Sequence, residues 1–190
     1  SELTDQPIKV LISGRRPSKN AKTADMLQVA IVRDTKTRPS AHMSRARKNP
    51  GGTDVTAVCG DCPLKTVCYV DYSKSIDTMH RANPGRRLVT DEELVYIIRG
   101  RAVRLGAAGD PAAVPFEVWE RLLRFANGFT AYTHSWRVAD PRLATIAMAS
   151  VESTELAREA HALGYRTFRV SASGAPGKGE ILCPNSSRGI

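Results

Sequence analysis

From residue 91 onward, apolar positions follow two periods that alternate along the chain. Stripes with the spacing of an amphipathic helix are separated by short runs rich in β-branched and aromatic residues. The predicted helices span 91–101, 115–127 and 153–163. The predicted strands span 102–105, 129–133, 146–151 and 165–170. Because strands that alternate with helices of about 10–15 residues are typical of βαβ units, this pattern predicts a parallel sheet.

Capping residues support the predicted helix ends. Thr90 precedes the first helix and Glu93 follows three positions later, which is the spacing of a capping box. Ser153 is the predicted N-cap of the third helix, and Gly128 and Gly164 follow the ends of the second and third helices. These residues indicate the helix boundaries independently of the apolar pattern.

The N-terminal part of the chain is less regular. Segments 8–12 and 26–32 are short apolar runs that predict two strands. The chain from 33 to 49 is polar and basic, and its pattern permits either a mobile arm or a short helix over 44–48. A last short strand is predicted at 181–182.

Taken together, these patterns predict one α/β domain over residues 1–190. Its parts are a basic, β-rich N-terminal segment (1–58), a cysteine-containing metal loop (59–88) and βα units (89–190). Right-handed crossovers place the helices on one side of a parallel sheet. The predicted fold class is therefore a partial (βα) barrel or a curved parallel sheet with helices on one face, preceded by the short β-rich segment.

Charge is unevenly distributed along the chain. Lys and Arg number 28 and Asp and Glu number 19, which gives a net charge of +9. Residues 1–104 hold 19 basic and 11 acidic side chains, so most of the excess lies there. A basic half indicates contact with a polyanion, and the prediction is nucleic acid, DNA or RNA; the alternative is a charge that only aids solubility. The basic candidates in this half are Arg15, Arg16, Lys19, Lys22, Arg45, Arg47 and Lys48.

Four cysteines point to a metal site. Cys59 and Cys62 form a Cys-x-x-Cys pair, five residues separate Cys62 from Cys68, and Cys183 lies far away beside Pro184. Thiolates suit zinc and iron–sulfur clusters, and three near cysteines with one distant one resemble cluster ligation more than the paired spacing of structural zinc. The prediction is a [4Fe–4S] cluster on all four cysteines. One structural Zn²⁺, no metal, and a free buried thiol at Cys183 remain as alternatives.

Polar groups gather at the predicted carboxyl ends of the strands, where βα folds place their chemistry. Asp110 and His134 are the catalytic candidates, since either could act as a base or ligand. Trp136 and Arg137 could stack on a nucleobase and bind a phosphate. The structural alternatives are that Asp110 caps a turn and that Trp136 packs inward.

These motifs resemble an uncharacterised family of bacteriophage proteins. The resemblance covers most of residues 20–185, and no activity comes with it. It implies a location in the host-cell cytoplasm and a possible host protein as partner. It rests on Ala24-Asp-Met-Leu-Gln28, Cys59-Gly-Asp-Cys62-Pro-Leu, Cys68-Tyr-Val, Gly109-Asp-Pro-Ala-Ala-Val-Pro115 and Tyr132-Thr-His-Ser-Trp-Arg137.

More distantly, the layout resembles radical S-adenosylmethionine enzymes. These have a cysteine triplet before a partial βα barrel, often with an aromatic residue beside the last cysteine, as Tyr69 is here. Gly109-Asp110-Pro111 stands where these enzymes hold the cofactor's amine. The usual triplet spacing is three then two, whereas this chain has two then five. S-adenosylmethionine is not expected as a cofactor, because Cys183 as a fourth ligand would close the iron that it needs.

Three functions follow from the sequence. The leading hypothesis is a phage-encoded metal-cluster protein that binds nucleic acid through its basic half, with a structural or redox-sensing metal centre. The second is a cluster-dependent modifying enzyme related to the radical family. The third is a small interaction protein that acts on a host factor. No run of about 18 apolar residues exists, so no membrane partner is expected.

Overall fold

A single six-stranded sheet organises the chain. The computed structural model describes residues 1–13, 25–85, 87–171 and 174–183. The strands are β1 (Ile8–Ile12), β2 (Leu27–Arg33), β3 (Ala102–Ala108), β4 (Gly128–Thr133), β5 (Met148–Val151) and β6 (Arg166–Arg169). They lie side by side in chain order. Strands β2 to β6 run parallel, and β1 pairs antiparallel with β2.

This architecture confirms the predicted fold class, a curved parallel α/β sheet with helices on one face. The N-terminal strands are an integral part of it, because β2 pairs directly with β3 and becomes the first parallel strand. The crossovers after β2, β3 and β5 contain α-helices, and the one after β4 contains only a 3-10 helix, Pro141–Thr145. Parallel strands in sequential order with such crossovers are the arrangement of a partial βα barrel.

In the part of the chain that the structure describes, six α-helices lie between the strands. They are α1 (Pro39–Lys48), α2 (Thr56–Cys59), α3 (Asp77–Ala82), α4 (Asp91–Ile98), α5 (Phe116–Leu123) and α6 (Thr154–Ala162). The capping box predicted for Thr90 and Glu93 is present at the start of α4, and Ser153 caps α6. The polar stretch that permitted an arm or a short helix folds as α1, which begins at Pro39 because proline suits the first helical turn.

The predicted strand at 181–182 is absent from the described residues, and both side chains there are exposed. Strand β3 runs three residues further than predicted, to Ala108. Its pairing with β2 is irregular between Val29 and Ala30, so the extension follows a bulge that apolar periodicity does not show. Within the described residues, no helix is long and apolar enough to cross a membrane.

The core packs between the sheet and the helices α4, α5 and α6, and it also takes in residues of α1 and α2. Val103 and Leu105 of β3 are fully buried with Ile98, Trp119 and Leu122 of the helices. A smaller cluster continues under α6, where Ala149 and Val151 of β5 pack against Ala157 and Ala160. These residues define the helix-covered face of the sheet. The alternate residues of the same strands point to the opposite face.

Candidate metal centre

The short helix α2 carries the first cysteine onto the carboxyl edge of the sheet. The Asp110 amide donates to the Val58 carbonyl over 2.6 Å, which ties the end of β3 to this helix. Gly109 has a φ of +78°, and a Cβ there would lie 2.7 Å from the Ile31 carbonyl oxygen. Only glycine permits so close an approach of three backbone segments. The cysteine segment is therefore seated at the ends of β2 and β3.

Three of the cysteine thiols lie close enough to act on one another. Burial raises the pKa of the Cys59 thiol far above its usual range, and Cys62, Asp110 and Cys68 add to the rise. Burial also raises the pKa of Cys62 to about 11, with further contributions from Asp110, Cys68 and Glu152. Thiolates at this position therefore need a positive partner, and a bound metal supplies that charge.

Two hydrogen bonds to sulfur work in the opposite direction. The Tyr72 hydroxyl hydrogen-bonds the Cys59 side chain, and a backbone hydrogen bond from Leu64 lowers the pKa of Cys62. Tyr72 is itself buried and held by the Gly109 backbone. Hydrogen bonds of this kind orient metal-bound sulfurs and tune the metal. The surroundings of Cys59 and Cys62 thus fit thiolate ligands.

Zinc and an iron–sulfur cluster differ in what they require of the ligand sulfurs. A single tetrahedral zinc takes four ligands with Zn–S bonds of about 2.3 Å, whereas the sulfurs of a cubane cluster bind irons at separate corners. Within the residues that the structure describes, no three His, Cys, Asp or Glu side chains form a group that could hold a metal ion. The choice between zinc and a cluster stays a prediction.

The fourth predicted ligand lies in a different segment. Cys183 is half-buried in the last described stretch, 174–183. The site built on all four cysteines stays a prediction.

Asp110 has a structural part at this edge. Its side chain is buried, with 6% of the residue exposed. One carboxylate oxygen accepts from the Ala112 amide over 2.9 Å, and the other accepts from the amides of His134 and Ser135 over 2.8 and 3.3 Å. Because the three contacts are all to backbone amides, the carboxylate joins the loops after β3 and β4. This arrangement matches the capping alternative.

His134 stands beside the cysteine segment. Its Nε2 lies 4.0 Å from a carboxylate oxygen of Glu152, the residue that follows β5. This Nε2 is buried and has no hydrogen-bond partner among the described residues. Glu152 also contributes to the raised pKa of the Cys62 thiol.

Trp136 is buried, and Arg137, although exposed, is engaged by neighbouring side chains of the protein. Trp136 is 3% exposed and packs in the cluster under α6. The Arg137 guanidinium lies 4.0 Å from the centre of its ring and makes two hydrogen bonds to Glu159, over 2.6 and 2.7 Å. The indole therefore has no face open to a nucleobase, as the inward-packing alternative expects.

The basic candidates divide into two groups. Arg15, Arg16, Lys19 and Lys22 lie outside the described residues. On α1, Arg45 bonds Asp54 over 2.8 Å, Lys48 is exposed, and Arg47 donates to the Cys68 carbonyl over 2.6 Å. The last turn of α1 therefore borders the cysteine segment.

Sequence reasoning missed the second face of the sheet. Gln28, Arg104 and Thr130 occupy neighbouring positions across β2, β3 and β4. Nearer the carboxyl edge, Tyr132 and Phe168 meet edge to face across β5, with ring centres 5.1 Å apart. We call these side chains, together with Met148 and Arg166, the open face. A partial signal was present in the sequence, because Thr130 and Tyr132 flank Ala131 in β4 and Arg104 is the one polar residue of the otherwise apolar β3.

The cysteine segment leads directly onto the open face. Tyr69 follows Cys68, is 83% exposed, and accepts a hydrogen bond from Arg104 over 3.0 Å. The candidate metal centre and the open face are therefore neighbours. Comparison with protein-family models, with curated proteins and with solved structures found no match to this chain.

Proposed function

We propose that the protein is an iron–sulfur enzyme in which Cys59, Cys62 and Cys68 hold a [4Fe–4S] cluster at the carboxyl edge of the sheet. The observation that supports it most is the grouping of these three thiols beside the open face, with Cys183 in another segment. Three thiolates leave one of four irons without a protein ligand. Such a cluster supplies an electron and an iron that is open to a small molecule.

The position of the three cysteines in the fold favours a catalytic role for the metal centre over a structural role. Structural metal sites are fully ligated by protein, whereas catalytic sites keep a position open. Carboxyl ends of parallel strands carry the chemistry of βα folds, because loops from several strands meet there. The three cysteines lie at such an edge and adjoin exposed polar and aromatic side chains.

The surrounding residues have distinct parts in this proposal. Tyr72 and the Leu64 backbone orient the sulfurs of Cys59 and Cys62. His134, with Glu152 at 4.0 Å, is the group placed to give or take a proton beside Cys62.

Anaerobic reconstitution with iron and sulfide tests the proposal. We expect about four irons and four sulfides per chain. The electron paramagnetic resonance spectrum of the reduced protein should shift when cyanide is added, because cyanide binds an iron that lacks a protein ligand. Uptake of one zinc ion and no iron would overturn the proposal. A cluster whose spectrum ignores cyanide would also overturn it and would favour the closed four-cysteine site.

A further inference from the structure

The open face combines positive charge with exposed aromatic rings. The five parallel strands contain no Asp or Glu and four arginines, Arg33, Arg104, Arg166 and Arg169. Arg33 and Arg169 are engaged elsewhere, with the Asp54 carbonyl and with Glu180. Arg104 and Arg166 stand on the open face, and Arg166 is exposed.

Two aromatic platforms flank these arginines. Tyr69 presents an exposed ring whose hydroxyl is fixed by Arg104. Across the face, Tyr132 keeps 37% of its surface exposed against Phe168. Aromatic rings in a basic groove are the means by which proteins bind single-stranded nucleic acid, since every base offers a π face.

From this arrangement we propose that the open face binds single-stranded nucleic acid, with a base stacked on Tyr69 and phosphates bound by Arg104 and Arg166. Charge complementarity selects this occupant, because the strands below it offer arginines and no carboxylate. Arg47 extends the positive surface, since it contacts the carbonyl of Cys68 next to Tyr69. Two platforms, one in the cysteine segment and the other on β4 and β6, suit a chain of nucleotides better than a single nucleotide.

As a statement about substrate, the inference rests on the proposed function, because the bound strand would pass beside Cys68 and its cluster. Binding itself needs only the open face. The binding inference and the proposed function can therefore fail separately.

Binding of a fluorescein-labelled oligothymidylate of about 20 nucleotides, followed by anisotropy, tests the inference. A matched uridylate strand, a duplex and thymidine monophosphate serve as competitors. We expect both single strands to compete and the duplex and the monophosphate to compete at least tenfold less well. The logarithm of the affinity should fall linearly with the logarithm of the salt concentration, because phosphate contacts release counterions.

Substitutions locate the surface. Tyr69→Ala should weaken binding about 5- to 150-fold, the effect of losing one base stack, while Tyr69→Phe keeps the ring and should bind nearly as the parent does. Arg104→Ala should lower the salt slope by about one, since one phosphate contact is lost. Arg158→Ala removes an exposed arginine from α6 on the helix-covered side and is the matched control.

Melting temperatures of all variants establish that each one folds. If Tyr69→Ala and Arg104→Ala bind as the parent does, or if Arg158→Ala is equally impaired, the inference is wrong. Absence of binding at low salt overturns it as well, as does stronger competition by the duplex. Iron counts on the same samples separate the two proposals. If the protein takes up about four irons but does not bind the strand, only the binding inference is wrong. If it binds the strand with the expected variant pattern but takes up no iron, only the proposed function is wrong.

Discussion

The two faces of the sheet are formed by alternate residues of the same strands, but they differ in burial and in chemical character. Leu105 is 1% exposed beneath the helices, whereas the adjacent Arg104 is half-exposed and bonds Tyr69 on the other side. One face consists of aliphatic residues packed against helices, and the other carries arginine, threonine and aromatic residues. The comparison indicates that stability is concentrated on the covered face, which leaves the open face available for recognition.

The largest expected effect belongs to the covered face. Leu105→Ala should lower the free energy of unfolding by about 2–5 kcal/mol, because it removes buried methyl groups and leaves a cavity among Ile98, Trp119 and Leu122. Urea unfolding at neutral pH measures this change. A loss below about 1 kcal/mol would show that the core does not rest on this face.

A smaller loss is expected at the edge where the two faces meet. In Asp110→Asn, the side-chain nitrogen cannot accept a hydrogen bond, so buried amides of Ala112 or His134 lose a partner. We expect a cost of about 1–3 kcal/mol. Asp140→Asn is the control, because Asp140 caps a similar turn from a more exposed position and should cost less. Equal losses of unfolding free energy in both variants would show that the burial of Asp110 does not increase its contribution to stability.

The segment between β2 and β3 should make the free energy of unfolding depend on pH, which the apolar residues of the covered face cannot do. Burial lowers the pKa of His42 most, Arg33 and Arg45 lower it further, and a hydrogen bond to Asp54 opposes them. The unfolded chain then binds a proton more readily than the native one, so stability is full above about pH 6.5 and falls as the pH drops below it.

Unfolding by urea at several pH values between about 5 and 8 measures this dependence. His42→Gln should remove part of it, while His161→Gln, which changes an exposed histidine, should keep it. Identical pH profiles for the parent and His42→Gln would mean that His42 is not the group responsible.

The smallest effect on stability is expected from the open face itself. Arg166→Ala removes an exposed side chain and should change the free energy of unfolding by no more than about 0.5 kcal/mol. The same urea experiment used for Leu105→Ala measures it. A loss comparable to that of Leu105→Ala would erase the distinction between the faces.

Periodicity predicted the covered face well. Trp119 and Leu122 lie within the predicted amphipathic helix 115–127, and both are buried. The capping signals at Thr90 and Ser153 gave the starts of two helices, because caps are local and leave a sequence signature.

Periodicity could not predict which contacts the polar residues on the other face of the strands make. Arg104 reads as an ordinary solvent residue until the hydrogen bond to Tyr69, which joins residues 35 positions apart, shows what it faces. Trp136 and Arg137 suggested a nucleic-acid contact in the sequence, but the ion pair with Glu159 and the core under α6 hold them. Long-range pairing of this kind depends on the assembled sheet and has no local pattern.

Iron content of two matched cysteine variants tests the central claim most directly. After identical anaerobic reconstitution, Cys183→Ser should retain about four irons per chain, and Cys68→Ser should lose most of them. Of these two cysteines, Cys68 alone is a ligand in the proposed three-thiolate site. Melting temperature, measured on both, separates loss of metal from loss of fold. Equal loss of iron in a folded Cys183→Ser would contradict the account and place the fourth cysteine on the cluster.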